Sequence, residues 1–143
     1  MKLSIIIVSY NVSNYLRQCL QSVLTSNIFG SFEIIVVDNY SHDDSCRMVK
    51  NEFPSIKLIR NKENLGFSKA VNIGLDKSKG EFICLLNPDT LVSDNTFNKL
   101  LDYISKNQNT GCIGPKILNP DGTLQLACKR SFPDPVSAFF KLI

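Results

Sequence analysis

Hydrophobic and polar positions alternate in blocks along this chain. Leu3 to Val8 (LSIIIV) is a short, β-branched run that closes on Ser9-Tyr10-Asn11 and reads as a buried strand. Val12, Tyr15, Leu16, Cys19, Leu20, Val23 and Leu24 then recur at spacings of three and four, the apolar face of a helix. Asn11 or Ser13 is placed to cap it, since a short polar side chain satisfies a free backbone N–H there, and Gly30 breaks the pattern. Phe32 to Val37 (FEIIVV) predicts a second strand, followed by Asp38-Asn39. Asp43 to Phe53 predicts a helix stopped by Pro54, and Ile56 to Ile59 a short third strand. Asn61 to Gly66 is polar loop. Phe67, Ala70, Val71, Gly74 and Leu75 mark a third helix, with Lys77 and Lys79 near its negative end and Gly80 past it. Glu81 to Leu86 predicts a fourth strand leading into Asn87-Pro88-Asp89-Thr90, and Phe97, Leu100, Leu101 and Ile104 a fourth helix. Cys112 to Leu118 reads as a fifth strand. Asn119-Pro120-Asp121-Gly122 has the residues of a type I turn, which makes Thr123 to Cys128 the returning arm of a C-terminal hairpin.

Strand and helix alternate four times with short links. The expected fold is therefore α/β, a mostly parallel sheet flanked by helices on both faces. At 143 residues, the length is that of one domain, residues 1–143. The final stretch carries Val136, Phe139, Phe140, Leu142 and Ile143, an apolar ending expected of a chain that continues.

Charge and cysteine content narrow the function classes. The net charge is +3 and the basic residues are scattered, which argues against nucleic acid and leaves anionic small molecules as partners. The five cysteines, 19, 46, 84, 112 and 128, include no C-x-x-C pair and read as reduced thiols of a cytoplasmic protein. The apolar run Ile5 to Val8 is too short for a signal peptide or a membrane span.

In an open parallel sheet, ligands bind beyond the carboxyl ends of the strands. The residues there are Ser9-Tyr10-Asn11, Asp38-Asn39, Asn61 to Gly66 and Asn87-Pro88-Asp89, all polar. No G-x-G-x-x-G follows the first strand and no G-x-x-x-x-G-K-[ST] occurs, so dinucleotide and P-loop sites are not indicated. The lone histidine, His42, permits no histidine cluster for zinc and reads as a solvated loop residue. A rim of carboxylates and amides with few nucleophiles suits a diphosphate bound through Mg²⁺ or Mn²⁺, and Asp89 is the best ligand for that cation.

The segments SIIIVSYN (4–11), VDNYSHDDS (37–45), NLGFSKAVNIGL (64–75) and LLNPDT (85–90) resemble the successive motifs of family 2 glycosyltransferases, over about residues 3 to 135. The closest resemblance is to the bacterial rhamnosyltransferase-like subgroup, with N-P-D in place of D-x-D. The resemblance implies a GT-A fold and an inverting transfer from a nucleoside-diphosphate sugar, UDP- or dTDP-linked, to a glycan or lipid-linked acceptor in cell-surface polysaccharide synthesis. A lipid-linked acceptor would bring a cytoplasmic enzyme to the inner face of the membrane. It also implies that Tyr10 and Asn11 line the nucleoside pocket, and that Asp38 accepts a hydrogen bond from the base with Asp43 as the second acid of that motif. Asn64, Gly66 and Asn72 match N-x-G-(x5)-N beside the nucleotide. Asp89 matches the metal-binding acid, and Asn87 stands where the family has the first acid of D-x-D.

The family also carries a later acidic motif whose carboxylate deprotonates the acceptor hydroxyl. After Asp121 the only acid is Asp134, between Pro133 and Pro135, a context that does not match. The 143 residues alone are therefore expected to transfer little or no sugar. Lys129 and Arg130 are either a solvated pair or diphosphate contacts. Two other readings stay open: a nucleotide-binding domain without activity, and a nucleotidyltransferase that makes the activated sugar.

Overall fold

The computed structural model describes residues 2–128. Expectations for Lys129, Arg130, Asp134 and the apolar ending lie outside the described residues. By their internal contacts, the described residues group into two units, one ending at Tyr103 and the other beginning at Ile104.

The first unit is built on a four-stranded parallel sheet. Its strands are β1 (Leu3–Ser9), β2 (Phe32–Asp38), β3 (Lys57–Arg60) and β4 (Phe82–Leu85), in the order β3-β2-β1-β4. The register sets Leu3 opposite Phe32 and Ser9 opposite Asp38. On the other side of β1, Leu3 stands opposite Phe82 and Ile6 opposite Leu85. Helices α1 (Ser13–Thr25), α2 (Ser45–Glu52), α3 (Phe67–Asp76) and α4 (Thr96–Lys106) alternate with the strands. The α/β class and the parallel sheet inferred from the sequence are thus present.

Because β1 and β2 are covered on both faces, their sequences are continuously apolar. Ile5, Ile7, Ile34 and Val36 face one way, against Leu16, Cys19, Leu20 and Val23 of α1, Met48 and Val49 of α2, and Phe97 and Leu101 of α4. Ile35 and Val37 face the other way, against Ala70 of α3. A Cβ on Gly74 would stand 2.5 Å from the Ile6 side chain, so glycine lets α3 lie close on β1. At the amino end of the sheet, Ser4 Oγ donates to Glu33 Oε1 (2.7 Å) and accepts from the Gly80 N–H (2.8 Å), tying β1 and β2 to the entry of β4. Among the described residues no helix is long and apolar enough to cross a membrane.

Helix starts depart from the sequence reading. Neither Asn11 nor Ser13 caps α1: the cap position is Val12, without a side-chain hydrogen bond. Ser13 is the first helical residue, and its N–H donates to Asp43 Oδ2 at 2.9 Å. Helix α2 begins at Ser45 rather than Asp43, because Asp43 Oδ1 accepts the Ser45 N–H (3.0 Å) as a turn before the helix.

In the second unit the predicted hairpin keeps its turn and a single bridge, without two strands. The Gly122 N–H donates to Asn119 O (2.9 Å) and Gly122 has φ 83°, but Cys112 to Leu118 is not a strand. One antiparallel bridge, Leu118 to Leu124, remains, and Leu126–Cys128 is a 3₁₀ turn. Gly114 and Pro115 interrupt the run, and proline has no N–H to give to a ladder.

Candidate functional site

The chain builds β1, β2 and β3 outward in one direction and then returns to place β4 on the far side of β1. That reversal makes a switch point between β1 and β4, where the connections leave in opposite directions and open a crevice at the carboxyl ends. Tyr10 and Asn11 follow β1, and Asn87 and Asp89 follow β4, so four of the sequence-predicted residues flank it. All four are exposed, Tyr10 at 45%.

The loops after β1 and β2 are stitched together. Asn11 has a left-handed backbone, φ 54°, which asparagine tolerates. Its N–H donates to Ser41 Oγ (3.0 Å), and its Oδ1 accepts the His42 N–H (2.8 Å). Asp43 receives N–H groups from Ser13 and Ser45. Burial pushes the Asp43 carboxyl up, but the bonds from Ser45 and Ser13 outweigh it and hold the acid below its usual range. Asp38 is 1% exposed, and its Oδ2 accepts the Ser41 N–H at 3.0 Å. Its Oδ1 has no hydrogen-bond partner among the described residues. Asp38 and Asp43 of the VDNYSHDDS motif thus shape the loop beside β2, and Asp38 lies beneath the exposed rim.

Asn39 was visible in the sequence only as the residue after Asp38, yet it organises the next part of the rim. It is 3% exposed. Its Oδ1 accepts from Asn61 Nδ2 (3.1 Å) and from the Leu65 N–H (3.0 Å), while its Nδ2 donates to Asn64 Oδ1 (2.7 Å). Asn64 Oδ1 also accepts the Gly66 N–H at 3.0 Å. Gly66 has φ 78°, a conformation L side chains rarely adopt, and it leads directly into α3. Asn64 and Gly66 are therefore brought to the end of β2. Asn72 stands exposed on α3, and no hydrogen bond joins it to the other rim residues.

The loop after β4 is held from below by α1. Cys19 Sγ donates to Asn87 O at 3.6 Å, and the Val92 N–H donates to Ser22 Oγ at 3.0 Å. Thr90 N–H closes a turn on Asn87 O (3.2 Å), and the Asp89 carboxylate above it accepts no hydrogen bond among the described residues. Burial, and then the charge of Asp89, push the Cys19 thiol up to about 12. Burial and the facing Asp38 take Cys46 to about 11, and burial takes Cys84 to about 11. These three thiols are protonated at neutral pH, so none offers a thiolate nucleophile. Among the described residues no three His, Cys, Asp or Glu side chains gather to enclose a metal ion.

Arranged in this way, the rim can accept and donate hydrogen bonds and present the exposed carboxylate of Asp89. Comparison with known proteins gives it a family. The chain is similar to the minor teichoic acid biosynthesis protein GgaB of Bacillus subtilis, 34% identical over 110 residues, 74% of this chain and 12% of that protein. It is similar to glycosyltransferase GlyA of Streptococcus pneumoniae, 32% identical over 108 residues, 71% of this chain and 15% of that protein. The crystal structure of S. aureus TarS 1-349 in complex with UDP-GlcNAc shares the fold, with TM-score 0.70 and 23% identity over 81% of this chain and 38% of that one. The chain spans less than a sixth of the length of the two curated relatives. The model of the family described as glycosyl transferase family 2 matches residues 4–132, and the chain belongs to that family.

Proposed function

We propose that the carboxyl rim of this sheet binds a nucleoside-diphosphate sugar, UDP- or dTDP-linked, as the donor of a glycosyl transfer. The observation that carries this reading is the switch point between β1 and β4, flanked by exposed Tyr10 and Asn11 on one side and by Asn87 and Asp89 on the other. The nucleoside lies over the loops after β1 and β2, bordered by Asn64, Gly66 and Asn72, and the diphosphate over the loop after β4. Asp38, whose Oδ1 has no partner among the described residues, accepts the hydrogen bond of the base, while its Oδ2 and Asp43, the second acid of the motif, fix those loops around the nucleoside.

The donor set at Asp89 fits a hard cation carried on the diphosphate. Such a cation takes phosphate oxygens and waters and needs only one or two protein carboxylates. Asp89, with the amide of Asn87, would hold Mg²⁺ or Mn²⁺, which when bound neutralises the negative charge of the departing nucleoside diphosphate. An acceptor hydroxyl attacks the anomeric carbon as the bond to the diphosphate breaks, giving inversion in a single displacement, and its proton passes to a general base that is not among these rim residues. The acceptor is a glycan or a lipid-linked sugar of a cell-surface polysaccharide, modified on the cytoplasmic side of the membrane, a setting consistent with five free cysteines.

The test is calorimetric titration of the 143-residue chain with UDP, dTDP and GDP, each with Mn²⁺. Binding of a pyrimidine diphosphate, with GDP at least about tenfold weaker (roughly 1.4 kcal/mol), is the expected result. Equal binding of all three would refute pyrimidine selection, and no binding of any would refute the donor site.

A further inference from the structure

Four non-glycine residues among those described have a positive φ: Asn11, Asn27, Tyr40 and Asn95. Three are asparagines, which visit the left-handed region routinely because a short polar side chain bonds locally there. Tyr40, at φ 73°, is the exception. A bulky side chain in that conformation is strained, and strain of this kind persists only where the surroundings enforce it. Here they do. Asn39 is fixed by three side-chain hydrogen bonds and by its N–H to Ser9 O (2.8 Å). Ser41 is fixed by its N–H to Asp38 Oδ2 and by its Oγ, which accepts the Asn11 N–H. With buried residues pinned on both sides, Tyr40 is turned outward. The residue is 39% exposed. The His42 ring meets it at 4.7 Å between centroids and 80° between planes, an edge contact that leaves aromatic surface open. The bond from the His42 N–H to Asn11 Oδ1 ties the loop that carries this pair to the loop after β1.

We propose that Tyr40, backed by His42, is a base-stacking residue of the donor site, selecting ligands that carry a planar nucleobase. Glycine or asparagine would occupy the turn without strain, so the fold alone does not require tyrosine. An aromatic face does give a flat π-system a surface to stack on, a contact worth roughly 1–3 kcal/mol per base. The inference rests on the donor-site reading above and adds to it the residue that grips the base.

The test compares Tyr40→Asn, Tyr40→Leu and Tyr40→Phe in the 143-residue chain, using UDP and inorganic pyrophosphate as probes, both with Mn²⁺. Tyr40→Asn relieves the backbone, so its Tm stays level or rises by up to roughly 4 °C. Its UDP affinity falls about tenfold, within the range for lost base stacking, while pyrophosphate binding is unchanged. Tyr40→Leu keeps bulk without an aromatic face and loses UDP in the same way. Tyr40→Phe binds as the wild type does. Asn and Leu variants that bind UDP as tightly as the wild type, or that lose pyrophosphate equally, would overturn the inference and leave the donor site standing. A wild-type chain that binds pyrophosphate but gains nothing from the base would also overturn it, whereas one that binds neither probe removes the donor site and this inference together.

Discussion

Asn39→Ala is expected to lower the stability of the chain by about 3–5 kcal/mol. The side chain is buried and satisfies three groups at once: the side-chain amide N–H of Asn61, the backbone N–H of Leu65 and the side-chain Oδ1 of Asn64. Alanine leaves the first two without an acceptor, and each buried polar group without a partner costs about 1–3 kcal/mol. Asn61 is itself buried, so water does not readily replace the lost bond. Domains of this kind are stable by about 5–15 kcal/mol in all, so the loss is a large part of the total. Urea denaturation measures it directly. A change under about 1 kcal/mol would mean that the amide network does not hold the rim together. The same substitution releases Asn64 and Gly66 from the end of β2, so ligand binding should weaken with it.

Asp89→Ala is expected to behave in the opposite way. The carboxylate is exposed and accepts no hydrogen bond among the described residues, so stability should change by less than about 0.5 kcal/mol. Removing the carboxylate takes away the charged ligand proposed for the cation on the diphosphate. Contacts to charged groups are worth roughly 1.5–3 kcal/mol, so affinity for UDP in the presence of Mn²⁺ should fall about tenfold or more. Without the metal, wild type and variant should bind UDP alike. A variant that loses stability and keeps its metal-dependent binding would make Asp89 a turn residue of the N-P-D-T loop and nothing more.

The two substitutions mark the boundary between what the sequence discloses and what it conceals. Strands β1 and β2 were legible because IIIV and IIVV are unbroken β-branched runs. Helix α1 was legible because its apolar residues keep helical spacing and pack on those strands. The rim was legible as a set of polar residues at strand ends, since the chemistry of an open sheet gathers there. The caps of α1 and α2 were not, because the group that closes α1 is Asp43, thirty positions from the N–H it accepts. Side-chain bonds of that span leave no periodic trace. Asn39 was hidden for the same reason, since its partners stand 22 to 26 positions away. The fifth strand was read from Cys112 to Leu118 because residues on either side of Pro115 are apolar, but backbone hydrogen bonding is decided by the missing N–H and by the exposure of the segment. Burial of Asp38 was equally invisible: a carboxylate after a strand carries no mark in the sequence of the bond that its Oδ2 accepts from Ser41.

The most direct test of the donor site uses the paramagnetism of Mn²⁺. Amide resonances of the ¹⁵N-labelled chain are recorded with UDP and a trace of Mn²⁺, and again with Mg²⁺ in its place. Broadening should be strongest at Asn87, Asp89 and Thr90, weaker at Tyr10 and Asn11, and absent at Ser4 and Gly80 on the opposite end of the sheet. Broadening centred elsewhere, or the same pattern in Asp89→Ala, would contradict the assignment of the rim between β1 and β4 as the site that holds the donor diphosphate.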